Sequence, residues 1–120
     1  MAKANKSGPI VLVYVTAPSI KAAERICTAV VEEGLAACAN VLGGVRSVFR
    51  WQGKVERARE AILIMKTRKS RVAALTRRIK ALHPYTVPCV VAVPIVGGND
   101  AFLDWVGMES APPRSRSKRR

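Results

Sequence analysis

Apolar and polar positions along the chain switch repeatedly between the strand period and the helix period. Ile10 to Val15 (IVLVYV) is an unbroken, β-branched apolar run, the pattern of a strand covered on both sides, and Thr16-Ala17-Pro18-Ser19 stops it. Ala22, Ile26, Ala29, Val30 and Glu33 then recur at three or four residues, which predicts a helix with Pro18 in its first turn and Gly34 at its end. Leu35 to Leu42 is a second, small-residue strand that Gly43-Gly44 bends or bulges. Extended structure resumes at Val45, where Val45, Ser47, Phe49 and Trp51 alternate with Arg46, Val48 and Arg50. Gln52-Gly53-Lys54 supplies a tight turn, and Val55 to Thr67 returns as a third strand. Ser70 is placed to cap a second helix with Val72, Leu75, Ile79 and Leu82 on one stripe and Arg71, Arg77, Arg78 and Lys80 facing water. His83-Pro84 ends that helix. Val87 to Ile95 reads as a fourth strand, with Pro88 and Pro94 at its ends or on an edge. Gly97-Gly98-Asn99-Asp100 leads into a short helix carrying Phe102, Leu103, Trp105 and Val106.

The order βαββαβ plus a short C-terminal helix predicts an α+β, ferredoxin-like domain: an antiparallel sheet with both main helices on one face. The hairpin exceeds what that fold needs. Arms of about a dozen residues reach roughly 40 Å, twice a typical strand, and two helices cannot cover them. Phe49, Trp51, Val55, Ile62 and Ile64 would leave apolar surface and open edges, so pairing with further copies is expected.

Composition fits one domain: 120 residues, 49% of them hydrophobic, form a core without staples. No apolar run is long enough to span a bilayer, the N-terminal residues are polar, and three widely spaced cysteines, Cys27, Cys38 and Cys89, do not form a disulfide framework. The expected location is the cytoplasm. A net charge of +13 suggests nucleic acid until its distribution is considered: five basic residues lie in Ala111 to Arg120, and Lys3 and Lys6 precede Gly8. The chain is therefore divided into a flexible segment 1–9, a domain 10–110 and a disordered basic tail 111–120, the tail being either simply solvated or a non-specific polyanion contact.

Hydrolase chemistry finds no support, since His83 is the only histidine and no serine stands in a nucleophile elbow. No phosphate-binding glycine loop or closed zinc spacing appears, so the chain reads as a binding protein and not an enzyme, with no obligatory cofactor.

Thr16-Ala17-Pro18, Gly34-Leu35-Ala36-Ala37-Cys38-Ala39-Asn40, Trp51-Gln52-Gly53-Lys54 with Glu56 and Glu60, Lys66-Thr67, His83-Pro84-Tyr85, Pro88 and Leu103-Asp104-Trp105 occur in the order and at the separations of one family. From about Val11 to Val106 the chain resembles the CutA divalent-cation tolerance proteins. The resemblance implies a ferredoxin-like homotrimer, similar in architecture to the PII signalling proteins, linked to tolerance of copper and other divalent metal ions. It makes Cys38 the foremost soft-metal ligand and His83 a second candidate, and it places Trp51, Lys54, Glu60, Lys66 and Tyr85 near clefts between subunits that would hold a metal ion or small ligand.

Each residue also has a plainer reading. Cys38 in an alanine-rich strand fits a buried small hydrophobe, and His83 fits a helix terminus. Trp51 and Tyr85 fit interface packing, and Lys66 with Glu60 an ordinary ion pair. The sequence departs from the family's usual H-P-Y-E-x-P-E, reading His83-Pro84-Tyr85-Thr86-Val87-Pro88-Cys89. Losing two acids weakens attraction for hard cations, whereas Cys89 adds a soft donor near His83 and tilts preference toward ions like Cu(I). The competing classes are a PII-like signalling or structural trimer that presents a partner-binding surface, and an RNA-binding module. A low aromatic content (5%) and the lack of an RNP1-like segment weigh against the latter.

Overall fold

In the computed structural model, which describes residues 8–113, the β-branched run forms β1 (Ile10–Ala17) at the centre of a four-stranded sheet of order β2-β3-β1-β4. Its partners are β2 (Cys38–Trp51), β3 (Lys54–Arg68) and β4 (Val90–Pro94), and every pairing is antiparallel. This is the ferredoxin-like arrangement, with α1 (Ile20–Glu32) and α2 (Val72–Leu82) covering one face.

The core forms where strand alternation meets helical stripes. Val11, Val13, Val15 and Ala17 of β1 and Ala61, Leu63 and Met65 of β3 pack against Ala23, Ile26 and Val30 of α1 and Leu75 and Ile79 of α2. The α1 stripe ends in a Schellman motif: Leu35 N–H donates to the Val30 carbonyl (2.9 Å) and Gly34 N–H to that of Val31 (3.0 Å), with Gly34 at φ 73°. Thr67, fully buried, satisfies its hydroxyl by donating to the Leu35 carbonyl at 2.7 Å. The short C-terminal helix α3 (Asp100–Glu109) closes a second, smaller cluster of Ile10, Ala37 and Val106.

Several expected boundaries move, each for a local reason. Ala17 still pairs with Ala61, so β1 runs through Ala17 and Pro18 stands in the bend that follows it, not in the helix. Ser19, not Pro18, opens α1, its hydroxyl accepting from Ala22 N–H at 3.1 Å. Ser70 caps nothing: residues Lys69–Arg71 wind as a 3-10 turn, tethered by Lys69 N–H to the Pro9 carbonyl (2.8 Å), and α2 begins at Val72. Arg71 does not face water. It is buried because it stands four residues before Leu75 and eight before Ile79, on the same stripe. Finally, β4 starts at Val90 and not Val87, since Pro88 has no N–H for the ladder.

The hairpin is as long as expected, with 14 residues in β2 and 15 in β3. Trp51 pairs with Lys54 across a two-residue turn in which Gln52 (φ 51°) and Gly53 (φ 82°) are both left-handed, the type I′ signature. Between Leu42 and Val45 the register shifts, so Gly43 and Gly44 together oppose Ala61 as a β-bulge. A Cβ at Gly43 would lie 2.5 Å from Ile20 Cδ1, so a side chain there would have to push the half-exposed Ile20 aside.

The expected tails, 1–9 and 111–120, lie mostly on residues 1–7 and 114–120, outside the described residues; Ala111 is buried. Among the described residues no helix is long and apolar enough to cross a membrane.

Candidate functional site

Alternation on β3 decides where the candidate residues point. Ala61, Leu63 and Met65 face the helices, so Ile62, Ile64 and Lys66 face the uncovered side of the sheet. Cys38 and Asn40 join them there, opposite Lys66 and Ile64, as do Leu12 and Tyr14 of β1 and Val91 and Val93 of β4. This bare face is apolar and open: Leu42 is 52% exposed, Val91 49% and Val93 47%.

One polar cluster sits on it around Cys38, half-buried opposite Lys66 in the β2-β3 register. The Lys66 ammonium donates to Asn40 Oδ1 at 3.0 Å and reaches the Cys38 sulfur at 3.9 Å. The sequence motifs include Asn40 without giving it a site role. The signal was its alternation with Cys38 on one strand, which puts both beneath the same lysine.

A second cluster forms at the other end of β1, where the loop after α2 meets the sheet. Tyr85 donates its hydroxyl to Glu60 Oε2 at 2.8 Å, and its backbone N–H donates to His83 Nδ1 at 3.0 Å. His83 Nδ1 is thereby the acceptor, which assigns the proton to Nε2, and Nε2–H donates to the Thr16 carbonyl at 2.7 Å. Both imidazole nitrogens of this buried residue are occupied. To ligate a metal, His83 would have to give up one of the two bonds that pin the loop to β1.

Burial, aided by the hydrogen bond and charge of Glu60, pushes the Tyr85 hydroxyl up to about 12, so it remains a donor across the physiological range. The Cys89 thiol is also pushed up, first by burial and then by the Glu60 charge, with the Thr16 backbone partly offsetting. Cys89 is nonetheless exposed as a residue. Cys27, on the buried face of α1, is pushed up to about 11 by burial and by Glu24.

The two clusters are separate. Cys38 lies opposite Lys66, whereas His83 is bound to Thr16, which pairs with Ile62; four strand steps, about 13 Å, lie between those positions. Lys66 and Glu60 are not an ion pair, being six strand steps apart and bonded elsewhere. Trp51 and Lys54 stand at the hairpin tip, another six steps beyond Glu60. Among the described residues no three His, Cys, Asp or Glu side chains stand together as a cation site. Within one chain the candidates therefore form three sites strung along β3.

Comparison with known proteins follows the same span. The model of the CutA1 divalent ion tolerance protein family matches residues 11–109. The chain is 43% identical over 106 residues to the chloroplastic protein CutA of Arabidopsis thaliana, covering 88% of this chain and 58% of that protein. It is 48% identical over 95 residues to the divalent-cation tolerance protein CutA of Thermus thermophilus, covering 79% and 92%. The crystal structure of CutA1 from Oryza sativa superimposes with a TM-score of 0.84 at 44% identity, over 87% of this chain and 95% of that one. The chain thus spans little more than half of its plant relative's length and nearly all of its bacterial one.

Proposed function

Since the chain belongs to the CutA1 divalent ion tolerance family, we propose that it acts as a homotrimer that takes up copper or another soft divalent-type ion, or a small ligand, in clefts between subunits. The observation that carries this reading is the bare sheet face. Apolar residues that one copy leaves open share that face with the Cys38–Lys66–Asn40 cluster, so packing copies together would cover the first and bring the second toward residues of a neighbour. Among its described residues one copy offers no closed cation site, and donors from more than one copy would supply one. The thiols Cys38 and Cys89 supply the soft donors, and His83 acts first as a latch on the Tyr85 loop. In this reading the protein sequesters or signals and makes or breaks no bond in its ligand. Its three free thiols suit a reducing compartment such as the cytoplasm.

Native mass spectrometry of protein purified without a metal resin tests it: the expected result is a mass three times that of the chain. A folded monomer in sedimentation at micromolar concentration would overturn it. Titration with Cu(I) should lose a site in Cys38→Ser while the trimer persists; unchanged stoichiometry would leave Cys38 a packing residue.

A further inference from the structure

Four arginines share one face of the β2-β3 ribbon. Beyond the bulge, Arg46 pairs directly with Arg59, Val48 with Arg57 and Arg50 with Val55. The odd positions of β3 continue the helix side of the sheet, and the extra residue of the bulge transfers the even positions of β2 to that side. All six side chains are exposed past the end of the helical layer. Glu56 and Glu60 fall on the opposite face, with Phe49 and Trp51. The ion pair of Arg78 with Glu33 joins α2 to the end of α1 and does not involve this ribbon.

Like charges directly opposite one another destabilise an antiparallel pair, and no carboxylate on this face offsets Arg46 against Arg59. The array suits a partner with regularly repeated negative charge. Arg57 and Arg59 are about 6.7 Å apart along the strand, close to two nucleotide steps of about 3.4 Å. Guanidinium forks match phosphate oxygens bidentately. A two-stranded ribbon also has a width that the major groove of B-form DNA, about 12 Å across, admits. The aromatic side chains point away from this face, so it lacks the stacking platform used by single-strand binders.

We propose that the arginine face of the ribbon, Arg46, Arg50, Arg57 and Arg59, is a sequence-independent docking surface for the phosphate backbone of duplex DNA. It goes beyond the metal and trimer reading and is independent of it, because the face lies on the helix side and stays outside when the bare faces pack together.

The test is fluorescence anisotropy of a short labelled duplex with two variants of the full chain, so that the basic tail is constant. The ribbon variant carries Arg46→Gln, Arg50→Gln, Arg57→Gln and Arg59→Gln. The control loses the same charge from the outer surfaces of α1 and α2, through Lys21→Gln, Arg25→Gln, Arg77→Gln and Lys80→Gln. The ribbon variant should bind at least about tenfold more weakly, with the slope of log affinity against log salt reduced by about 3 to 4, while the control changes far less. Its thermal midpoint should equal or exceed that of the wild type, since the opposed arginines are gone. Wild-type affinity in the ribbon variant, or an equal loss in the control, overturns the proposal. So does equal affinity for a single strand of the same length or for anionic phospholipid vesicles.

Discussion

The two halves of β3 share a strand, a ladder and a partner, yet differ in everything else. From Ala61 to Thr67 every second residue is buried under α1 and α2, and Leu63 and Met65 have no exposed surface. From Lys54 to Arg59 no residue is buried, and Val55 is 57% exposed. The first half is held by side-chain packing, the second by backbone pairing and one turn. Such an arm contributes little to the stability of its own chain, which leaves its residues available for contacts with something else.

Substitutions that separate packing from pairing probe this contrast most strongly. Leu63→Ala should lower unfolding free energy by about 3 kcal/mol in urea titration, whereas Val55→Ala should cost less than about 0.5 kcal/mol. Comparable losses would show that the arm is packed as tightly as the core. Next comes the turn: Gly53→Ala forces a side chain at φ 82° and should cost about 1 to 2 kcal/mol. Gln52→Asn, better suited to its left-handed position, should gain a few tenths of a kcal/mol. If neither moves the urea midpoint, the arm is uncoupled from global unfolding.

Alkaline titration tests the cluster at the boundary between the halves. A hydroxyl with its ionisation raised from about 10 in the unfolded chain to about 12 in the folded one contributes stability below about pH 10. That contribution is lost as pH rises toward 12. Tyr85→Phe should remove this part of the decline, and its absorbance difference from wild type should place the ionisation near pH 12. A midpoint near 10 would mean that the Tyr85–Glu60 bond is not maintained in solution. Cys27, raised to about 11 on the buried face of α1, adds a loss in the same direction and should resist alkylation at neutral pH while exposed Cys89 reacts. The smallest effect belongs to the Arg78–Glu33 pair on the helical surface, where Glu33→Gln should leave the urea midpoint within error.

Most strands and helices were legible because their apolar periods are unambiguous, and the long hairpin and its glycine bulge followed from alternation and turn chemistry. Phase and contact were harder. Arg71 looks like a surface residue because it is charged, and only its spacing from Leu75 and Ile79 betrays burial. Ser70 has a capping side chain, but the tether from Lys69 to Pro9 winds the chain before it can cap. The family motifs singled out Cys38, His83, Glu60, Lys66 and Tyr85 without showing how they are grouped.

The sequence by itself determined the fold class, the element order, the family and the excess length of the hairpin, since each depends on local period or on motif spacing. Tertiary structure alone decided that Tyr85 bonds Glu60, that both His83 nitrogens are occupied, and that Lys66 bridges toward Cys38 and Asn40. It also decided that four arginines gather on one ribbon face, because a single extra residue at Gly43-Gly44 inverts which side of β2 each later residue joins. A pattern of period two is read along one strand, but which residues of two strands share a face depends on register, and register is a property of the paired chain.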